Sequence, residues 1–146
     1  MNKTKVLFVC HGNICRSPMA QAIFEKLACE VGLDAFVDSA ATSTEELGNG
    51  VYPPAQRTLQ RHGITGFTHR ARQLTKNDYL NFDVIKVMDH YNLSNVLRII
   101  GHDSLGKVSL LLGREISDPW YTGDFEQAYA DILEGCQLLI RGLLKR

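Results

Sequence analysis

The stretch Val6-Leu7-Phe8-Val9-Cys10-His11-Gly12-Asn13-Ile14-Cys15-Arg16-Ser17-Pro18 decides how this chain folds. Its first four residues are apolar strand formers without a polar break, the pattern of a strand covered on both faces. The composition then turns polar over residues 10–17, with Gly12 inside. Ser17-Pro18 reads as a helix start, because proline fits the first turn, where its missing N–H costs nothing. Ala20, Ile23, Phe24, Leu27, Ala28 and Val31 recur at helical spacing until Gly32. The opening is strand, loop, helix.

The same alternation continues outward. Residues 35–40, 83–88 and 108–112 read as strands. Helices are predicted from Pro53-Pro54 to Gly63, after a capping box at Thr75 and Asp78, and over 92–100. Phe125, Tyr129, Ile132, Leu133, Cys136, Leu139, Ile140 and Leu143 mark a long C-terminal helix. Alternating strands and helices predict an α/β fold, a single domain over residues 1–146, with a parallel sheet covered on both faces. In such sheets a ligand sits beyond the carboxyl ends of the strands, so the loop at 10–17 is the first candidate site.

The chain has 146 residues, with 16 Lys+Arg against 16 Asp+Glu and a formal net charge of zero. That balance excludes a dedicated nucleic-acid binder, which needs excess cations to displace counterions. The apolar run at 6–9 is too short for a signal core or a membrane span. No membrane association is expected, and the chain is placed in a reducing, cytoplasmic compartment. The four cysteines are therefore not expected to form structural disulfides. Cys29 and Cys136 are read as filler on apolar helix faces.

Each residue type in the loop has a use. A strand-to-helix loop can aim several backbone N–H groups at one anion. Gly12 permits positive φ and close approach. Arg16 carries a planar fork that matches two phosphate oxygens. Cys10 lies under the same positive field, which favours a thiolate. Ser17 is placed to hydrogen-bond its sulfur, and Asn13 to hold the loop through its side chain. A thiolate beneath a bound phosphate is set for in-line attack on phosphorus. The plain alternative is a buried strand-end cysteine and a solvated arginine.

A second motif, Asp118-Pro119-Trp120-Tyr121, follows the fourth strand and so lies on the same side of the sheet. Asp118 is a candidate proton donor, Pro119 stiffens its backbone, and Trp120 and Tyr121 can wall a slot for an aromatic ring. Alternatively this is an ordinary turn whose aromatics pack on the C-terminal helix.

The loop from Val9 to Pro18 resembles the signature loop of the low-molecular-weight protein tyrosine phosphatases, and Asp118-Pro119-Trp120-Tyr121 resembles that family's acid motif. The resemblance implies a four-stranded parallel sheet with flanking helices. It implies Cys10 as nucleophile, Arg16 as phosphate clamp and Asp118 as general acid. His11, Gly12, Asn13, Ile14, Cys15, Arg16 and Ser17 would then wrap the phosphate of a phosphotyrosine or a small aryl phosphate, and a cysteinyl-phosphate would form. Ser39 is expected to support the loop, in a segment 38–43 that also resembles the family. Residues 72–74 and 88–92 resemble further blocks, in which Asp89 and Asn92 are read as structural. No cofactor and no metal are implied, and tyrosine-phosphorylated proteins or peptides are the expected partners of a monomer or weak homodimer. Cys15, in the same loop, is expected as a redox partner that captures a Cys10 sulfenate.

Two departures stand out. Glu45 falls where relatives often carry an aromatic at the cleft rim, and His11 occupies an often apolar loop position. A carboxylate at the rim is expected to disfavour acidic flanks. Ile14 agrees with the phosphotyrosine branch, whereas relatives acting on phosphoarginine tend to carry Thr there. Arsenate reduction on the same fold would need further cysteines after the third strand, and none lies between Cys29 and Cys136.

Overall fold

The computed structural model describes residues 3–146. Strand β1 (Thr4–Cys10) leads into helix α1 (Arg16–Val31), followed by β2 (Ala35–Ala41), α2 (Pro53–Arg61), α3 (Lys76–Asn81), β3 (Val84–Val87), α4 (His90–Ile100), β4 (Val108–Leu110), α5 (Pro119–Thr122) and α6 (Phe125–Leu144). The four strands form one sheet in the order β2-β1-β3-β4, and all neighbouring pairs are parallel. Chain order reverses between β1 and β3, so the crevice at their carboxyl ends is the switch point where open α/β sheets bind ligands. The loop after β1 opens there.

β1 explains the two-sided burial. Val6 and Phe8 face a core layer that includes Met19, Ile23 and Phe24 of α1, Leu59 of α2 and Ile132 and Cys136 of α6. Leu7 and Val9 face the other layer, with Ile85 and Val87 of β3, Tyr79 of α3 and Val96 of α4. All four β1 residues are fully buried, as alternating side chains of a central strand must be when both faces are covered. Among the described residues no helix is long and apolar enough to cross a membrane.

The structure corrects several local expectations. α4 begins at His90 rather than 92, because the Asp89 side chain caps it by accepting the Asn92 N–H at 2.7 Å. The apolar pattern begins only at Leu93 and conceals that first turn. α5 is a one-turn helix where the sequence predicts a loop; Asp118 caps it by accepting the Trp120 N–H at 3.0 Å. β3 and β4 are shorter than predicted. Cys29 is exposed rather than filler, because it lies one position past Ala28, about 100° around the helix from the buried stripe. Cys136 is fully buried. The Thr75–Asp78 capping box is present.

α6 crosses Leu111 closely at Gly135. A Cβ there would meet Leu111 Cγ at 2.6 Å and its carbonyl oxygen at 3.1 Å. Helix propensity favours alanine by up to about 1 kcal/mol, but the obstructing atoms are a branch carbon and backbone, which cannot swing aside. Gly135→Ala is therefore expected to destabilise by about 1–3 kcal/mol. Gly142→Ala, with open space at its Cβ, is expected to stabilise slightly. Urea midpoints of the two variants check the contrast.

Candidate active site

Cys10 ends β1, and the chain turns through residues 11–15 before α1 starts. The turn depends on Asn13, the one non-glycine residue with positive φ (62°) among the described residues. Gly12 was expected to take that role, but its φ is not positive and its position is not crowded. Asparagine tolerates this backbone because its short polar side chain can be bonded locally. Here the bonding is complete. Asn13 Oδ1 accepts from the Arg72 N–H (3.2 Å) and from His69 Nε2 (2.8 Å). Its Nδ2 donates to Ser17 Oγ (2.7 Å) and Ser39 Oγ (3.0 Å). Ser39 Oγ in turn donates to Gln21 Oε1 at 2.7 Å. The loop is thereby tied to β2, to α1 and to the 69–72 segment.

The network also orients Ser17. Its oxygen is engaged by Asn13 Nδ2, so its hydroxyl proton is free to point at Cys10 Sγ, 3.0 Å away. The Asn13 N–H donates to the same sulfur at 3.3 Å. Two donors therefore converge on Cys10 Sγ. Around it, the backbone N–H groups of Gly12, Ile14, Cys15 and Arg16 have no acceptor within the described residues. For Arg16, the first helical residue, this follows from helix geometry.

Arg16 is 2% exposed. Its Nη1 donates to Asp89 Oδ2 (2.8 Å) and to the Ile116 carbonyl (2.7 Å), and Nη2 reaches Asp118 Oδ2 at 3.4 Å. Of five guanidinium N–H groups, three are thus engaged, leaving Nε–H and one Nη2–H, an adjacent pair suited to two oxygens of one anion. Burial presses the Arg16 pKa down, but Cys10, Asp118 and Asp89 outweigh it and hold the charge in place. Burial, then the neighbouring Cys10, push the Cys15 thiol well above its usual range.

These groups line a cleft of about 490 Å³. Cys10, Arg16 and the loop form its floor, while Glu45, Glu46, Asp118, Trp120 and Tyr121 stand around it. Every site residue read from the sequence lines this cleft except Ser17 and Ser39, which sit behind the loop. Trp120 leans on Tyr52 (centroids 4.8 Å apart), and Tyr52 on Phe125 of α6 (6.0 Å). Both readings of that motif hold in part, since Trp120 is braced toward α6 and still walls the cleft. His11 and Glu45, read separately, form a pair at 3.0 Å. Sequence reasoning missed Asp89 as the partner of Arg16, and also His69, Tyr52 and Glu46. Only their positions near family-like blocks hinted at them. No group of three or more His, Cys, Asp or Glu placed to hold a metal ion occurs among the described residues.

His69 gives the loop a pH dependence. Burial lowers its pKa from 6.5, opposed by Asp38 and reinforced by Arg72. Near and below 6.5 the unfolded chain takes the proton first. Acidification toward the folded pKa therefore favours unfolding, and the stability contributed is fully present above 6.5. The urea midpoint is expected to fall as pH drops from about 7.5 to about 5, and to fall less in His69→Gln.

Comparison with known proteins agrees with this geometry. The sequence model for "Low molecular weight phosphotyrosine protein phosphatase" matches residues 5–146. The chain is 41% identical to the human low molecular weight phosphotyrosine protein phosphatase, covering 92% of each. It is 38% identical to the low molecular weight protein-tyrosine-phosphatase YfkJ of Bacillus subtilis, covering 96% of each. The crystal structure of YfkJ superposes with a TM-score of 0.93 over 99% of this chain and 97% of that one, at 36% identity. The Drosophila arginine phosphatase structure superposes at 0.87, with 34% identity, over 96% and 98%.

Proposed function

Because the chain belongs to the low molecular weight phosphotyrosine protein phosphatase family and is a protein-tyrosine phosphatase, we propose that Cys10, Arg16 and Asp118 carry its reaction. The observation behind this is their convergence on one cleft, with two hydrogen-bond donors on Cys10 Sγ and two free guanidinium N–H groups beside it.

The phosphoryl group of a phosphotyrosine sits on the loop between residues 11 and 17. Its non-bridging oxygens take the unpaired backbone N–H groups and the Arg16 fork, which stabilise the spread charge of the transition state. Cys10 Sγ attacks phosphorus opposite the phenol oxygen. The P–O bond breaks, the P–S bond forms, and Asp118 delivers a proton to the departing oxygen. Water then attacks the cysteinyl-phosphate. Asp118 takes its proton, the P–S bond breaks, and the sulfur leaves toward the Ser17 hydroxyl, which is aimed at it. Trp120 and Tyr121 flank the aromatic ring. Tyrosine-phosphorylated proteins or peptides are the substrates this slot fits, because Trp120 and Tyr121 line it beside Cys10 and Arg16 and suit an aromatic ring.

Asp118→Ala is expected to keep substrate binding and to lose about 10²–10⁴ in kcat. Cys10→Ser is expected to abolish release of phosphate from para-nitrophenyl phosphate and phosphotyrosine. A near wild-type rate in Cys10→Ser overturns the assignment.

Cys15 is proposed as the redox partner of Cys10, since both residues line the same cleft. Peroxide converts the Cys10 thiolate to a neutral sulfenic acid and hydroxide. That removes the Cys10 charge that opposes ionisation of Cys15. Cys15 then displaces hydroxide to give a disulfide. Mass spectrometry after peroxide is expected to show a reducible Cys10–Cys15 link; a sulfonic acid at Cys10 without that link contradicts the role.

A further inference from the structure

The cleft continues beyond the phosphate site. A second groove of about 580 Å³ adjoins it, and Ile14, Glu46 and Trp120 form a wall common to both. Tyr52 and Asn49 line the groove on the side away from Cys10. A side chain next to the phosphotyrosine in a substrate therefore has a place to lie once the ring is in the slot.

The charges around it are one-sided. Glu45 and Glu46 stand at the mouth of the cleft. Glu45 is met by His11 at 3.0 Å. Glu46 is met only by a neutral amide, Asn49 Nδ2 at 2.6 Å. Among the described residues no Lys, Arg or His lies within ion-pair distance of Glu46. Among the described residues Arg16 is the only Lys or Arg lining either cavity. It is buried on the floor and already holds Asp89 and Asp118. An acidic neighbour of phosphotyrosine would thus meet two carboxylates and no available cation.

A basic neighbour meets complementary chemistry at each point. The Tyr52 and Trp120 rings, 4.8 Å apart and tilted by 55°, offer apolar surface for an alkyl stem and π-faces for a cation. Glu46 offers a carboxylate at the divide between groove and cleft. We propose that Glu46, with Glu45, Tyr52 and Trp120, forms a subsite that selects phosphotyrosines with lysine or arginine beside them. The proposal rests on the phosphotyrosine phosphatase reading and adds the class of sequence that reading leaves open.

The test compares phosphotyrosyl peptides of one length that carry Lys, Arg, Ala or Glu immediately before or immediately after the phosphotyrosine. Para-nitrophenyl phosphate serves as a substrate without flanks. At low salt, kcat/KM for the Lys or Arg peptide is expected to exceed that for the Glu peptide by about tenfold on at least one side. The ratio is expected to shrink as ionic strength rises. In the E45Q/E46Q variant the ratio is expected to fall to within about twofold of unity, with E46Q alone accounting for most of the fall. The ratio within each variant is the readout, so a general loss of activity cancels.

Equal kcat/KM for Lys and Glu peptides, with para-nitrophenyl phosphate hydrolysed, overturns the subsite and leaves the phosphatase reading standing. A preference that survives in E45Q/E46Q overturns it equally. Failure of the wild-type protein to hydrolyse para-nitrophenyl phosphate and all peptides overturns the reading on which the subsite rests, and the subsite with it.

Discussion

A buried guanidinium organises this protein. Arg16 is almost fully excluded from solvent, and a buried charge is tolerated only where partners replace its hydration. The residue and its partners come from three places. The residue itself opens α1 after β1, Asp89 follows β3, and Ile116 and Asp118 follow β4. The carboxyl ends of three strands are thereby drawn to one point. That point is also where the sheet reverses its order, so the constraint that neutralises Arg16 assembles the floor of the cleft. Removing Asp89 would leave the charge less compensated as well as loosening α4, which the same side chain caps.

The loop between β1 and α1 obeys a second constraint. A non-glycine residue at positive φ is strained unless its surroundings hold it. Asn13 is held by four hydrogen bonds from four different residues. Two of them, to Ser17 and Ser39, connect to the Cys10 sulfur and to Gln21. The conformation of the loop, the direction of the Ser17 hydroxyl and the position of β2 are therefore one linked arrangement. His69 enters it as a donor through Nε2, since Asn13 Oδ1 can only accept, and because burial disfavours its protonated form the arrangement is sensitive to acid.

Charge is layered with depth. The floor presents N–H donors and Arg16, suited to an anion. The rim presents Glu45, Glu46 and Asp118. A net charge of zero hides this separation entirely.

Much of this was legible along the chain. β1 and its loop were readable because an unbroken apolar run ending in Cys10, followed by Gly12, Asn13, Arg16 and Ser17-Pro18, has local causes: strand burial, an N–H nest and a helix start. Asp118-Pro119 was readable for the same kind of reason, by its place after a strand. What stayed hidden depended on contacts between residues far apart in sequence. Asp89 lies 73 positions from Arg16 and His69 lies 56 from Asn13, and no periodicity records such pairs. The positive φ fell on Asn13 rather than Gly12 because side-chain partners from β2 and the 69–72 segment stabilise it there. Glu46 and Tyr52 became part of one groove only when α5 brought Trp120 against them. The sequence alone determined the strand–loop–helix order and the residue types of the chemistry, because those follow from local patterning. Tertiary structure alone decided which carboxylates neutralise Arg16 and which line the rim, because electrostatic partnership depends on distance in space.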